Sequence, residues 1–172
     1  MNSAGVTSYL EIGCHQGNSF HYVMSHLPTG SKGVALDSPE AYGGTKGSAD
    51  MLTAVIEDLN AKGYDCRAVF GDSTNPEMIA KVASLGPFDA IFVDGDHRLP
   101  GVTADCNNYR PHARKLIAFH DIANDTIFDG ERMGVSVFWG QVEGRKEQCV
   151  APGSFLGIGI LWSESAAASG QS

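Results

Sequence analysis

The segment Glu11-Ile12-Gly13-Cys14-His15-Gln16-Gly17 decides how this 172-residue chain is read. Residues 8–12 before it have strand length, its two glycines mark a sharp turn, and Phe20, Val23, Met24 and Leu27 follow at helical spacing. The same succession repeats outward. Further strands are expected at residues 33–37, 66–70, 89–94 and 115–120, with two later ones at 147–150 and 155–162. Between them lie apolar stripes of helical period: Met51, Leu52, Val55, Ile56 and Leu59; Met78, Ile79, Val82 and Leu85; Leu99, Val102, Cys106 and Tyr109; and Val135, Phe138, Trp139 and Val142. Pro76 and Pro100 fall in the first turns of two of these helices, where a missing N–H costs nothing. Strands alternating with helices predict β-α-β units and a largely parallel sheet, an α/β fold.

Composition bounds the rest. The length suits one domain, taken as residues 1–165, with residues 38–48 as a glycine-rich loop and 166–172 as a small-residue tail. Twenty Asp and Glu against 12 Lys and Arg give a net charge of −8 without a basic run, which disfavours nucleic acid as a partner. No apolar stretch approaches the ~20 residues of a membrane span. The first residues have neither a basic start nor an apolar core, so a cytoplasmic protein is expected. Cys14, Cys66, Cys106 and Cys149 are far apart and sit in apolar patterns, as reduced core thiols do.

Parallel α/β sheets bind ligands beyond the carboxyl ends of their strands. Neither a phosphate-binding G-x-x-x-x-G-K-[ST] nor a dinucleotide G-x-G-x-x-G occurs, and Glu11 at a strand end would repel a pyrophosphate while attracting a cation. Asp37 closes the second strand 20 residues after Gly17, where a carboxylate accepts from both ribose hydroxyls. Gly71-Asp72-Ser73 closes the third and offers an acceptor to an adenine amino group. A ribose, a base and a cationic segment without phosphate describe S-adenosylmethionine. The competing reading makes Glu11 and Asp72 helix-capping or solvated loop residues.

With Asp37, Asp72 and Ile91-Phe92-Val93-Asp94-Gly95-Asp96-His97, the Glu11–Gly17 motif resembles the class I S-adenosylmethionine-dependent methyltransferases. Phe119-His120-Asp121 and Gly157-Ile158-Gly159 are similar to the branch of small-molecule and sugar O-methyltransferases that includes cephamycin- and macrolide-tailoring enzymes. The resemblance spans residues 9–162. It implies a Rossmann-like three-layer sandwich with a seven-stranded sheet in the order 3-2-1-4-5-7-6, the last strand antiparallel. It also implies a cofactor pocket of Glu11, Gly13, Cys14, His15, Gly17, Asp37, Ser38, Asp72, Ser73 and Asp94. Two departures stand out. His15 replaces a common middle glycine, predicting a looser turn, and only a few residues precede the first strand, so the substrate side is expected to be open, completed by a neighbouring subunit, or lost through truncation; a homo-oligomer is the expected assembly.

Asp94, Asp96 and His97 end one strand and His120 and Asp121 end its neighbour, close enough to share a site. Asp94, His120 and Asp121 are the candidate ligands of a divalent metal, Mg²⁺ or Mn²⁺. Asp94, His97 and His120 are the candidate catalytic groups, with His97 the base for a small-molecule hydroxyl. A capping Asp96 and a structural His97 form the competing reading. Asp125, Asp129 and Glu131 follow in a loop that reaches the same mouth or is simply solvated, whereas His21, His26 and His112 show no partner pattern. The expected activity is methyl transfer to a small-molecule hydroxyl; the alternative is a non-catalytic, regulatory module of the same fold.

Overall fold

The computed structural model describes residues 5–38, 47–128 and 131–163, without the side chains of residues 128, 131 and 132. Most of the loop expected at 38–48, the tail from 166, Asp129 and the side chain of Glu131 lie outside the described residues. Five parallel strands form the larger part of the sheet: β1 Ser8–Ile12, β2 Lys32–Asp37, β3 Asp65–Phe70, β4 Phe88–Val93 and β5 Ala113–His120. A short hairpin follows, β6 Ile127–Phe128 with β7 Glu131–Arg132, and then β8 Lys146–Cys149 and β9 Ile158–Trp162. The seven-stranded sheet runs β3-β2-β1-β4-β5-β9-β8, with β9 antiparallel to both of its neighbours. Counted along the chain without the hairpin, this is the order 3-2-1-4-5-7-6.

Burial explains the order. Every residue of β1 and β4 is buried, as central strands covered on both faces must be. Successive residues alternate between two cores. Leu10, Ile12, Val34, Leu36, Ile91, Val93, Ile117 and Phe119 pack under α3 Pro76–Leu85, α4 Leu99–Tyr109 and α5 Val135–Gln141. Tyr9, Ala35, Ala90, Phe92, Leu116 and Ala118 face the opposite way, and part of that core is supplied by α1 Asn18–Ser25 and α2 Ser48–Ala61. Parity then assigns the strand-end residues: Glu11, Asp37, Asp94 and His120 continue the face of Tyr9, Ala35, Phe92 and Ala118.

One strand start and one cysteine differ most from expectation. β9 starts at Ile158 rather than 155, because Phe155 and Leu156 lie exposed in the preceding loop. Cys149 is exposed on the outer strand β8 instead of buried, while Cys14, Cys66 and Cys106 are core residues. Pro76 follows Asn75, whose side chain accepts from the Glu77 N–H at 2.8 Å and caps α3.

The first turn keeps its tightness despite His15. Gly13 has φ +85°, and a Cβ there would sit 2.2 Å from the Asp94 carbonyl oxygen, so only glycine fits. His15 itself takes φ +50°, a left-handed conformation that favours glycine, and its N–H donates to Asp37 Oδ1 at 2.8 Å. That conformation costs a side-chain-bearing residue about 1–2 kcal/mol. His15→Gly removes that cost and keeps the backbone bond, against a smaller cost from the greater conformational freedom of glycine in the unfolded chain. A net gain of about 0.5–1 kcal/mol is expected, read by calorimetry as a melting temperature about 2–4 °C higher; a lower one would contradict the strain.

Candidate functional site

The carboxyl ends of β1, β2, β4 and β5 carry four ionisable residues on one face. The ladder continues into the turn, with the Gly13 N–H donating to the Leu36 carbonyl at 2.9 Å and the Asp94 N–H to the Ile12 carbonyl at 2.8 Å. Glu11 and Asp94 thus flank the glycine turn from beneath and from the side. The Glu11 carboxylate is fully buried, Oε2 accepting from the Tyr9 hydroxyl and Oε1 from the Ser19 hydroxyl, each at 2.5 Å. Burial pushes it up to about 7, against the pull of those two donors. Tyr9 and Ser19 were not foreseen; Tyr9 stands two residues before Glu11 on the same strand face, which was the available signal. The Cys14 thiol is also buried and donates to the Glu11 carbonyl at 3.3 Å, so it adds no side chain to the open pocket.

Asp37 is 8% exposed at the end of β2 and is raised by burial, which its bond from His15 only partly offsets. Ser38 follows it half-buried. Beyond β3, Asp72 Oδ1 accepts from the Thr74 N–H and hydroxyl, both at 2.8 Å, a local turn that matches the loop-capping reading for that oxygen. The Ser73 carbonyl accepts from the Tyr109 hydroxyl at 2.8 Å.

The densest chemistry joins the ends of β4 and β5. Asp94 Oδ1 lies 3.0 Å from His97 Nε2 and 3.0 Å from His120 Nδ1. Asp121 closes the ring, Oδ2 standing 3.2 Å from His97 Nδ1 and Oδ1 3.1 Å from His120 Nδ1. Asn124, also missed from sequence, donates to Asp121 Oδ2 at 3.2 Å. Asp121 holds φ +58° and so leaves the strand direction, turning back toward the histidines. Burial alone would raise Asp94, but His120 and His97 outweigh it and hold the carboxyl below its ordinary value. Asp94 in turn raises both imidazoles against their burial. With carboxylates at both ring nitrogens, His97 favours its protonated form in this arrangement and is braced rather than free.

Asp96 stands apart: both oxygens hold the Arg98 guanidinium at 2.8–3.1 Å, and Oδ1 also accepts the Arg98 N–H. Arg98, not Asp96, occupies the N-terminal cap position of α4, and its side chain makes no capping hydrogen bond there. Asp125 accepts from the Ser136 hydroxyl at 2.6 Å and does not enter the ring. His21 and His26 stay on α1, His21 beside Asp58 at 3.2 Å, and His112 lies in the turn Arg110–His112 after α4. A cavity of about 470 Å³ opens at the opposite, amino end of the strands, lined by Lys32, Arg67 and Arg114 among others; no histidine lines it.

Could the ring hold a metal? Asp94, His97 and His120 offer ligand atoms within 4.8 Å of one another. His120 Nδ1 and Asp121 Oδ1 are buried without a well-directed hydrogen bond despite their closeness, which fits residues that hold a cation. The donor set fits Mn²⁺ or another transition metal better than Mg²⁺, because two imidazoles are present and Mg²⁺ prefers oxygen. His97, expected as the base, is also one of the residues that could hold a metal.

The family described as "Methyltransferase domain" matches residues 10–122, from the first strand through the ring. The chain belongs to this methyltransferase family. Its fold is similar to that of an O-methyltransferase from Bacillus cereus in complex with SAH, at 19% identity and TM-score 0.71 over 94% of this chain and 76% of that one. It is similar also to MycE methyltransferase of the mycinamycin biosynthetic pathway, in complex with Mg and SAH, at 18% identity and TM-score 0.59 over 92% of this chain and 46% of that one. The rRNA methyltransferase aviRa from Streptomyces viridochromogenes shares the fold at 14% identity and TM-score 0.56, covering 96% and 80%. No curated protein matches the sequence significantly.

Asp105 was likewise not foreseen. It is fully buried on α4 beneath Gly95, neither oxygen hydrogen-bonded. Burial, opposed by the nearby Ser73 side chain and aided by Asp96 and Asp72, pushes it up to about 6 from 3.8. The folded-state value lies above the unfolded one, so the group costs nothing below about pH 4 and destabilises most above about pH 6. Asp105→Asn is therefore expected to stabilise the fold at pH 8, by at most about 3 kcal/mol, and to change little at pH 4. Denaturant titrations at the two pH values check this; an equal effect at both would contradict it.

Proposed function

We propose that this methyltransferase uses S-adenosylmethionine to methylate a hydroxyl of a small molecule. One observation carries the reading: the ring of Asp94, His97, His120 and Asp121 occupies the same sheet face and the same strand ends as the Gly13 turn and Asp37. The turn fits the cofactor, since the backbone of Gly13 approaches Asp94 closely and Asp37 stands where ribose hydroxyls would be accepted. S-adenosylmethionine, when bound, supplies an electrophilic methyl on a sulfonium. Asp37 and Asp94 place negative charge around that cation, with Glu11 buried behind the turn; Asp94 and Asp121 orient the two imidazoles; and His120, the imidazole not clamped at both nitrogens, receives the proton of the acceptor hydroxyl. A divalent metal held by Asp94, His120 and His97, with Asp121 alongside, would lower the pKa of that hydroxyl.

The acidic surface favours a small acceptor over RNA, since 20 acids against 12 bases repel a phosphate backbone. Four unpaired cysteines suit a reducing cytoplasm, and among the described residues no helix is long and apolar enough to cross a membrane. The fully exposed edge strand β8 supports self-association by strand pairing. Light scattering is expected to give a multiple of 18.2 kDa; a monomer would remove that part of the reading.

Asp121→Asn tests the mechanism. Asparagine tolerates the left-handed backbone of residue 121 and keeps the acceptor for Asn124, but loses the charge. Turnover is expected to fall at least about a hundredfold with S-adenosylhomocysteine affinity little changed. Turnover within a few-fold of the parent would leave the ring a structural brace.

A further inference from the structure

The cavity of about 470 Å³ at the amino ends of the strands falls within the roughly 300–1,000 Å³ of small-molecule sites. Parity explains its walls. Lys32 and Arg67 lie two residues before Val34 and Val69, so they continue the sheet face that α3 covers. That helix ends at Leu85, and the chain turns through Gly86 and Pro87 into β4, so the helix end and the turn form a rim instead of a cover. Arg114 enters from the start of β5.

The lining reverses the sign of the chain. Overall 20 acids face 12 bases, yet this cavity has three bases, Lys32, Arg67 and Arg114, against one carboxylate, Asp65. Asp65 pairs with Arg67 at 3.6 Å, and both side chains are exposed, so the pair is worth little. Asp89, buried behind the wall, stands 3.9 Å from Arg114 and 3.7 Å from Lys115, and it already accepts from the Thr7 N–H and hydroxyl at 2.9 and 3.0 Å. Lys32 is exposed, and its ammonium has no carboxylate or carbonyl partner among the described residues. Even with the half negative charge at the carboxyl end of α3, the lining keeps a positive excess.

Charge is also the main handle. The Ser84 hydroxyl donates to the Lys81 carbonyl at 2.6 Å, and the Ser8 hydroxyl accepts the Asp89 N–H at 2.8 Å. None of the exposed large apolar side chains among the described residues lines the cavity, and Phe88 is 2% exposed, so the lining offers no ring for stacking. Lys32 and Arg67 come from β2 and β3, whereas Arg114 comes from β5, three strand spacings beyond β2, or about 14 Å at ~4.8 Å each. We propose that this cavity is a second ligand site, for a small aliphatic compound with two or more separated carboxylate or phosphate groups. One anionic end meets Lys32 and Arg67 and the other meets Arg114, in charge-assisted hydrogen bonds. A compact ion does not span both, and a nucleotide finds nothing on which to stack its base. The site lies at the opposite end of the strands from the ring and does not depend on methyl transfer.

Calorimetry of the full chain at low salt with tricarballylate, fructose 1,6-bisphosphate, sulfate and glucose tests this. Tricarballylate carries no hydroxyl, so its binding is not that of a methyl acceptor. At least one of the two polyanions is expected to bind with a Kd below about 1 mM and at least tenfold tighter than sulfate or glucose; the tighter one identifies the preferred end group. That affinity is expected to fall at least tenfold in Lys32→Gln/Arg67→Gln and at least about threefold between 20 and 200 mM salt. Both side chains are exposed, so the variant is expected to melt with the parent. In the parent, the bound polyanion is expected to move the amide signals of Gly30, Gly33 and Gly86, a readout that needs no variant. No binding by either polyanion, sulfate binding as tightly, unchanged affinity in the folded variant, or movement of the Gly13 amide alone would overturn the proposal. So would binding of poly-glutamate where both small polyanions fail, which would give the face to an acidic macromolecule.

Discussion

The approach of Gly13 to the backbone of Asp94 is the constraint on which the site depends. A methyl group at residue 13 would penetrate the Asp94 carbonyl, and nothing but glycine at φ +85° lets β1 turn away while β4 ends beside it. That contact brings Glu11 and Asp94 to adjacent positions, and the parallel register carries Asp37 and His120 to the same edge. Four strand-end residues share a face because each lies an even number of positions from a core residue of the same layer. Site and fold are one periodic pattern read at its terminus.

A second consequence is electrostatic. The edge gathers Glu11, Asp37, Asp94 and Asp121, all within or close to the core, in a chain already carrying −8. Buried carboxylates are costly unless each finds donors. Tyr9 and Ser19 serve Glu11, the His15 N–H serves Asp37, His97 serves Asp94, and Asn124 with His97 serves Asp121. These donors lessen the cost without removing it: Glu11 and Asp37 remain raised by burial. The residual field favours a cation, which is what a sulfonium or a divalent metal provides.

Much of this was legible before the structure. β1 and β4 read as strands because buried central strands are nearly continuous apolar runs, and the ring was foreseeable because Asp94-Gly95-Asp96-His97 and His120-Asp121 end neighbouring strands. The positive φ of Asp121 was not, since nothing local requires it, yet it turns that carboxylate onto both histidines. Glu11 reads as a strand-end carboxylate facing a cation; its burial was not legible, because its partners Tyr9 and Ser19 are brought to it by the strand face and the following helix. Phe155 and Leu156 continue the apolar pattern of β9 and read as strand, although they lie outside the sheet; composition does not distinguish a buried apolar run from one left open. The short hairpin β6–β7 falls below the length at which periodicity registers.

The central claim is that one edge of the sheet carries both the methyl donor and the group that receives the acceptor's proton. A crystal structure of the chain grown with S-adenosylhomocysteine and Mn²⁺ tests it most directly. The account predicts ribose hydroxyls on Asp37, the thioether sulfur turned toward Asp94, and anomalous density for manganese between Asp94, His97 and His120. Nucleoside density in the basic cavity at the amino ends of the strands, or a donor whose sulfur faces away from the ring, would contradict it.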